Sequence, residues 1–297
     1  MSARRRYCQR FAEKHSIPAK LISNHETEAI HWLEYSRCTV DLSCSARTET
    51  LVCEPTWGFL QAMTDRVYEY ATASFALYIV GHPSSAEVVA RTTVEAAINI
   101  MYILSGDRLE RLWEYFWSYI ATERHQNRLW LDSISEHKDD DRQVHRRGIE
   151  QKEKALSLYE TFLRRAFQQA GFVPPAISQT TWPNLFDRFK SLGKETSYRT
   201  LYAAMCSQAH NDAEDLINRF VVHSSCAPEM EKMLASEAVR FSRMLVYFGL
   251  QYYLEAIQSY ARCFGLTEAE RELKEGYRII SSQIIDIVRE VNPDLGV

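Results

Sequence analysis

The sequence has little glycine and little proline, with 10 and 8 of each among 297 residues. Both residue types concentrate in turns, so their scarcity predicts few turns and long helices. No apolar run approaches the length that spans a membrane, and we expect no membrane partner. The basic start, M-S-A-R-R-R-Y-C-Q-R-F, has no apolar stretch behind it, and we expect it not to be a secretory signal.

The common signatures of metal, disulfide and acyl-transfer sites are also absent. The seven cysteines include no C-x-x-C pair, and neither a G-x-S-x-G elbow nor a Gly-rich phosphate loop occurs. An odd number of cysteines in a chain of this size argues against a disulfide framework and favours a reduced, cytoplasmic setting. Glu28-x-x-His31 has the spacing of half a di-iron site, but the second half is missing, which favours a structural role. We expect neither a metal nor a cofactor.

The charge balance of the chain is slightly acidic. With 35 Lys and Arg against 39 Asp and Glu, the net charge is −4, which gives no overall attraction to nucleic acid. Binding of RNA or of a nucleotide would therefore need a local patch of positive charge. The stretch 2–14 is predicted to form a short basic helix.

Apolar residues recur at helical spacing through most of the chain, and we predict an all-α fold, a multi-helix bundle with long antiparallel helices. The main bundle is expected to span 54–297, with a protruding hairpin near 124–150 whose tip is highly charged. Residues 1–53 are expected to form an appendage, in which the Thr-, Ser- and Val-rich stretch 36–53 is a loop or a small hairpin. The longest predicted helices are 54–80, 84–105, 107–137, 140–170, 229–264 and 267–291.

The helix predicted for 84–105 is apolar almost all round, which is typical of a helix buried on most sides. Its polar exceptions, Arg91, Glu95 and Asn99, are four residues apart and therefore form one stripe. Arg91 and Glu95 can pair along this stripe. Two interpretations stay open: the stripe is a solvent face with a surface ion pair, or it faces an internal site.

A second helix, around 197–210, carries Tyr202, Ser207 and His210 and is followed by Asn211. Ser207 and His210 are three residues apart and lie on neighbouring sides of one turn, within reach of a shared ligand. A serine beside a histidine is a pattern for a nucleophile and a base, although no third orienting residue is evident. The alternative is that His210 hydrogen-bonds at a helix end and Ser207 packs as a small residue.

Two segments of the chain together resemble a known family. R-T-T-V-E-A-A-I-N-I-M-Y-I-L, followed about a hundred residues later by Y-R-T-L-Y-A-A-M-C-S-Q-A-H-N-D, resembles the uncharacterised bacterial domain-of-unknown-function family numbered 5677. The resemblance covers roughly residues 55–260. The family pattern combines an Arg and a Glu four apart in one apolar helix with Tyr, Ser and His in a later one. The matching positions are Arg91, Glu95, Tyr202, Ser207 and His210.

Such proteins are similar to the broad class of all-helical HEPN proteins, several of which are RNases of toxin and phage-defence systems. That resemblance implies an Arg that stabilises charge on a phosphate and a His that moves the proton of a ribose 2′-OH, without a metal. The class signature is an Arg, four to six further residues and a His. In this sequence it matches only Arg10-F-A-E-K-His15, which lies outside the segment of family resemblance.

Two hypotheses on function follow. In the first, the protein is a HEPN-like effector that acts on RNA or a nucleotide by metal-independent phosphodiester cleavage. In the second, it is a non-catalytic helical binding or oligomerisation module, such as a homodimer, in which Arg, Glu and His form a buried polar lock. The first hypothesis assigns catalysis to Arg91, Glu95, Ser207 and His210, and substrate binding to Asn99, Tyr202 and Asn211.

Overall fold

The computed structural model describes residues 3–135, 139–174, 181–209 and 228–291, with the isolated positions 217 and 220. Regular structure in these ranges is helical throughout and contains no strand, which confirms the predicted all-α fold. No helix in the same ranges is both long and apolar enough to cross a membrane. In chain order the helices are α1 (Ala3–Lys14), α2 (Asn24–Ser45), α3 (Thr48–Leu51), α4 (Trp57–Ile79), α5 (Pro83–Leu104), α6 (Arg108–Ser133), α7 (Asp139–Gln169), α8 (Leu185–Ser191), α9 (Glu195–Ser197), α10 (Ala203–Ala209), α11 (Pro228–Cys263) and α12 (Thr267–Val291).

Helix α5 is the centre of the larger of two compact units, which comprises residues 3–53, 57–104 and the helices from α8 onward. It packs against both α4 and α11. At the crossing with α11, a Cβ on Gly249 would already lie 3.4 Å from the Ala90 side chain, so small residues let the two helices approach closely. The prediction that 84–105 is among the most buried helices is confirmed. The helix starts at Pro83, one residue before the predicted start, because proline suits the first helical position.

Helix α2 shows that the prediction for residues 36–53 was wrong. Instead of a loop or hairpin, α2 continues to Ser45, and the short helix α3 follows. Ser36 and Cys44 are buried, and their side chains bond to the hydroxyl groups of Tyr253 and Tyr260 on α11. Serine, threonine and valine have weak helix propensity, but burial against another helix overrides it.

The first helices pack into the larger unit. Helix α1 lies on α2, and α2 contacts α11 and α12. Gly276 on α12 leaves the space that the Trp32 ring fills, since a Cβ there would collide with the indole. The division made from the sequence set residues 1–53 apart as an appendage, whereas the contacts group 3–53 with the core helices.

The smaller unit contains residues 54–56, 105–174 and 181–184, with α6 and α7 as its two long helices. Asn127 Nδ2 donates to Glu153 Oε1 at 2.6 Å, and the rings of Trp113 and Phe167 lie 5.4 Å apart. The later residue of α6, Asn127, contacts the earlier residue of α7, Glu153, and the earlier residue of α6, Trp113, contacts the later one, Phe167. The two helices therefore run antiparallel. Gly171, at φ +78°, ends α7 where the sequence predicts a helix stop.

Candidate functional site

The polar stripe of α5 meets the segment that contains Tyr202. Arg91 Nε donates to Glu95 Oε1 at 2.9 Å and to Tyr202 Oη at 3.2 Å. The Tyr202 hydroxyl donates in turn to the same Glu95 oxygen at 2.5 Å. The guanidinium carbon of Arg91 lies 5.4 Å from the centroid of the Tyr202 ring. These three side chains are called the Arg–Glu–Tyr cluster below.

Burial and hydrogen bonding raise the pKa values of two groups in the Arg–Glu–Tyr cluster, Tyr202 and Arg91. Burial, followed by the hydrogen bond to Glu95, raises the pKa of Tyr202 above its ordinary value. Burial opposes the charge on Arg91, but the hydrogen bond with Tyr202 and the nearby Glu95 outweigh it and raise the Arg91 pKa. Tyr202 is therefore a neutral donor and Arg91 a permanent cation. Their side chains are not equally enclosed, since Tyr202 is buried while the Arg91 side chain is 23% exposed.

The third residue of the stripe has a partner that the sequence did not predict. Arg188 Nη1 on α8 donates to Asn99 Oδ1. Arg188 is only 9% exposed, so Asn99 is bound inside the unit. The signal in the sequence is a lone arginine between Phe186 and Phe189 in a short helix, where a buried cation needs a polar partner. The stripe therefore contacts α8 and the segment after it, although the Glu95 side chain is 37% exposed.

A π-helical turn at Tyr198–Tyr202 joins α9 to α10, where the sequence predicts one continuous helix. It stacks the rings of Tyr198 and Tyr202 at 5.2 Å, and Phe189 contacts both rings. Behind Tyr202, a small void is lined mainly by apolar residues of α5, α8, α10 and α11 and leaves no room for a water molecule. The protein interior at this point is closed. Turns of π type occur frequently at functional sites.

The remaining predicted site residues lie at or beyond the end of α10. Ser207 belongs to the last turn of α10, and His210 and Asn211 lie outside the described residues. The convergence of His210 with Arg91 and Glu95 therefore stays a prediction. Cys206, which the sequence analysis did not select, is a half-buried thiol close enough to influence the pKa values of Arg91 and Tyr202.

Residues 60–227 match a family described as a family of unknown function, DUF5677. The chain belongs to this family. No curated protein and no solved structure matches the chain. The matched range contains the Arg–Glu–Tyr cluster and the Asn99–Arg188 pair, but it ends before α11, the helix that packs most extensively on α5. The family segment thus carries the polar contacts, while a helix beyond it supplies much of their support.

The Arg10 and His15 side chains of the HEPN-type signature contact different groups. Arg10 is exposed, with Nη1 4.0 Å from Cys38 Sγ. The His15 ring lies 4.6 Å from the Phe11 ring, and burial lowers the pKa of His15. The structure shows no shared site for this pair.

Glu28 and His31 both make structural contacts with nearby residues. Glu28 pairs with Arg4 at 2.8 Å and accepts a hydrogen bond from Trp32. The His31 ring stacks on Tyr35 at 5.3 Å. Across the described part of the chain, no group of three or more His, Cys, Asp or Glu side chains is placed to hold a metal ion.

Proposed function

We propose that this protein acts on RNA or a nucleotide without a metal, as a bacterial effector of the toxin or phage-defence type, and that Arg91 binds the phosphate. The observation that carries this proposal is the Arg–Glu–Tyr cluster. Glu95, the Tyr202 hydroxyl and the Tyr202 ring together hold the guanidinium in one orientation, and its side chain is still 23% exposed. A cation fixed before the ligand arrives stabilises developing charge at little reorganisation cost.

Each residue has a defined part in the proposed reaction. The ribose 2′-OH attacks phosphorus, the bond from phosphorus to the 5′ oxygen breaks, and the products are a 2′,3′-cyclic phosphate and a 5′-hydroxyl. Arg91 offsets the charge on the phosphate oxygens, and His210 takes the 2′-OH proton and returns one to the leaving oxygen. Ser207 and Asn211 contact the nucleotide. Glu95 and Tyr202 act as positioning residues for Arg91. This role replaces the catalytic role of Glu95 and the substrate-binding role of Tyr202 that were predicted from the sequence.

The test is incubation of the purified full-length protein with RNA, followed by detection of 2′,3′-cyclic phosphate ends. We expect His210→Ala and Arg91→Lys each to lose about 100-fold or more in rate, because proton transfer and charge stabilisation are both impaired. The matched control is Arg278→Lys, since Arg278 also pairs with a glutamate of its own helix but is 72% exposed. Absence of cleavage by the wild type, or wild-type cleavage by Arg91→Lys, would overturn the proposal.

The closed interior favours a second candidate function, a non-catalytic binding or oligomerisation module. Tyr202 and Asn99 are both bonded inside the unit, and the void behind Tyr202 admits no water. In this case the stripe is a polar lock that fixes how the 185–209 segment sits on α5. The module predicts no nucleotide chemistry, and it predicts a homodimer. Sedimentation of the purified protein over a concentration series tests for the homodimer. The RNA cleavage assay then distinguishes this module from the first candidate.

A further inference from the structure

Helix α1 carries an excess of positive charge on an acidic chain. Within Ala3–Lys14, four arginines and one lysine stand against a single glutamate, whereas the whole chain has a net charge of −4. A chain with that balance attracts polyanions only through a local patch. Helix α1 provides such a patch.

Two arginines lie on the side of α1 that faces away from the core. Phe11 is fully buried, so the apolar side of the helix packs inside the unit. Arg6 and Arg10 are exposed and four residues apart, which places them on one face. Among the described residues no carboxylate pairs with either, whereas Glu28 holds Arg4 at 2.8 Å. Two like charges at this spacing destabilise a helix slightly, and an anionic ligand would remove that repulsion.

A concave surface borders these arginines. Arg5, next to Arg6 in the chain, lines a surface groove of about 740 Å³ together with Gln9 and Glu13. Arg6 and Arg10 are called the arginine face below. The groove and the arginine face together offer a ligand both polar side chains and positive charge.

We propose that the arginine face binds the phosphate backbone of RNA. Guanidinium groups match phosphate oxygens with two parallel hydrogen bonds, which the ammonium group of lysine does not provide. The arginine face shares no residue with the Arg91 site. The choice of RNA among polyanions rests on the proposed function, which names RNA as a substrate. The arginine face would retain the strand by charge, without reading its sequence.

The packing of α1 favours RNA over an anionic membrane. Helices that lie on a membrane insert an exposed apolar face into the lipid. In α1 the large apolar side chains are engaged elsewhere, because Phe11 is buried and the Tyr7 ring contacts His31 and Tyr35. The exposed side of α1 is polar and has no means of insertion.

The test is fluorescence polarisation of the full-length protein with a single-stranded 2′-O-methyl RNA, which lacks the 2′-OH nucleophile and so reports binding alone. Affinity is measured at several salt concentrations between about 50 and 200 mM. We expect Arg6→Gln/Arg10→Gln to reduce the magnitude of the slope of log K against log salt by about 1.4, or about 0.7 for each lost phosphate contact. The control, Arg271→Gln/Arg278→Gln, removes the same charge from residues on α12 that are 72% exposed, and its slope should equal that of the wild type.

Each outcome of the measurement decides the proposal. Equal slopes for the two double variants would overturn it, as would binding of wild type to phosphatidylserine vesicles but not to RNA. Thermal melting of both variants verifies that they are folded. The Arg91→Lys variant retains both the arginine face and the positive charge at position 91, so it should keep the wild-type slope even if it loses cleavage. Failure of the Arg91 site and failure of the arginine face are thereby distinguishable.

Discussion

The Tyr202 hydroxyl donates a hydrogen bond to Glu95 across 107 residues of chain, and it thereby joins α5 to the π-helical turn. Glu95 receives this bond and the one from Arg91 on the same oxygen. The carboxylate is therefore the centre of the Arg–Glu–Tyr cluster. A substitution at Glu95 should therefore alter the hydrogen bonds of both Arg91 and Tyr202.

Removal of the Tyr202 hydroxyl should destabilise the protein by about 1 kcal/mol, because Tyr202→Phe keeps the ring but leaves Glu95 without one donor. Urea unfolding gives the free energy. The control is Tyr159→Phe, because Tyr159 is 52% exposed and the effect of this change should stay within about 0.5 kcal/mol. Combined with Glu95→Gln, the Tyr202→Phe loss should be clearly smaller than in the wild-type background, and strictly additive losses would contradict the bond.

A second double-mutant cycle, which combines His210→Ala with Glu95→Gln, tests whether His210 contacts the Arg–Glu–Tyr cluster. If His210 contacts Glu95, the effects of His210→Ala and Glu95→Gln on unfolding should be coupled by about 0.5 kcal/mol or more. Additive effects would place His210 on a separate surface, and its role beside Arg91 would then be abandoned.

Gly276→Ala should destabilise the protein by about 1–3 kcal/mol, although alanine is the better helix former. The reason is the Trp32 indole, which occupies the space of the new methyl group. Gly58→Ala on α4 is the matched control, because nothing lies within 4 Å of its Cβ position. Thermal unfolding should show opposite signs for the two variants, and a stabilised Gly276→Ala protein would refute the close packing of α12 on α2.

The α6–α7 hairpin should open more readily at its charged end than at its other end. Leu156 and Phe167 are almost completely buried, whereas Arg146 and Arg147 are exposed. Amide hydrogen exchange, read by mass spectrometry on the isolated protein, should be about tenfold or more faster in 140–147 than in 156–167. Equal protection along α7 would show that the charged end is held as firmly as the buried one.

Stability should fall in alkaline solution because buried tyrosines resist ionisation. Burial raises the pKa of Tyr252 from 10.0 to about 12, and the pKa of Tyr202 is raised in the same direction. The unfolded chain loses these protons first, so the contribution is fully present below pH 10 and is lost as the pH rises through about 12. Denaturant titrations at pH 9, 10 and 11 should show a decline that is reduced in Tyr252→Phe. A flat profile would contradict it.

Much of the fold could be predicted because the signals are local. The observed ends of α5, α7 and α11 lie within one or two residues of their predicted ends, since periodicity and stop residues act within a few residues of the chain. Gly171 and Gly265 both have positive φ where helix stops are predicted. The Arg91–Glu95 pair is local in the same sense, because residues four apart on a helix are neighbours whatever surrounds them.

The sequence by itself determined most of the long helices, the stripe on α5 and the family resemblance that selected Tyr202. Only the tertiary structure decided what the stripe faces: Tyr202 across 107 residues and Arg188 across 89 residues. It also decided that 36–45 is helical, because Ser36 and Cys44 are buried against α11. Such contacts depend on how separate helices pack, and burial of this kind overrides the weak local propensity of the chain. The spacing of residues within one helix carries no information about these contacts between helices.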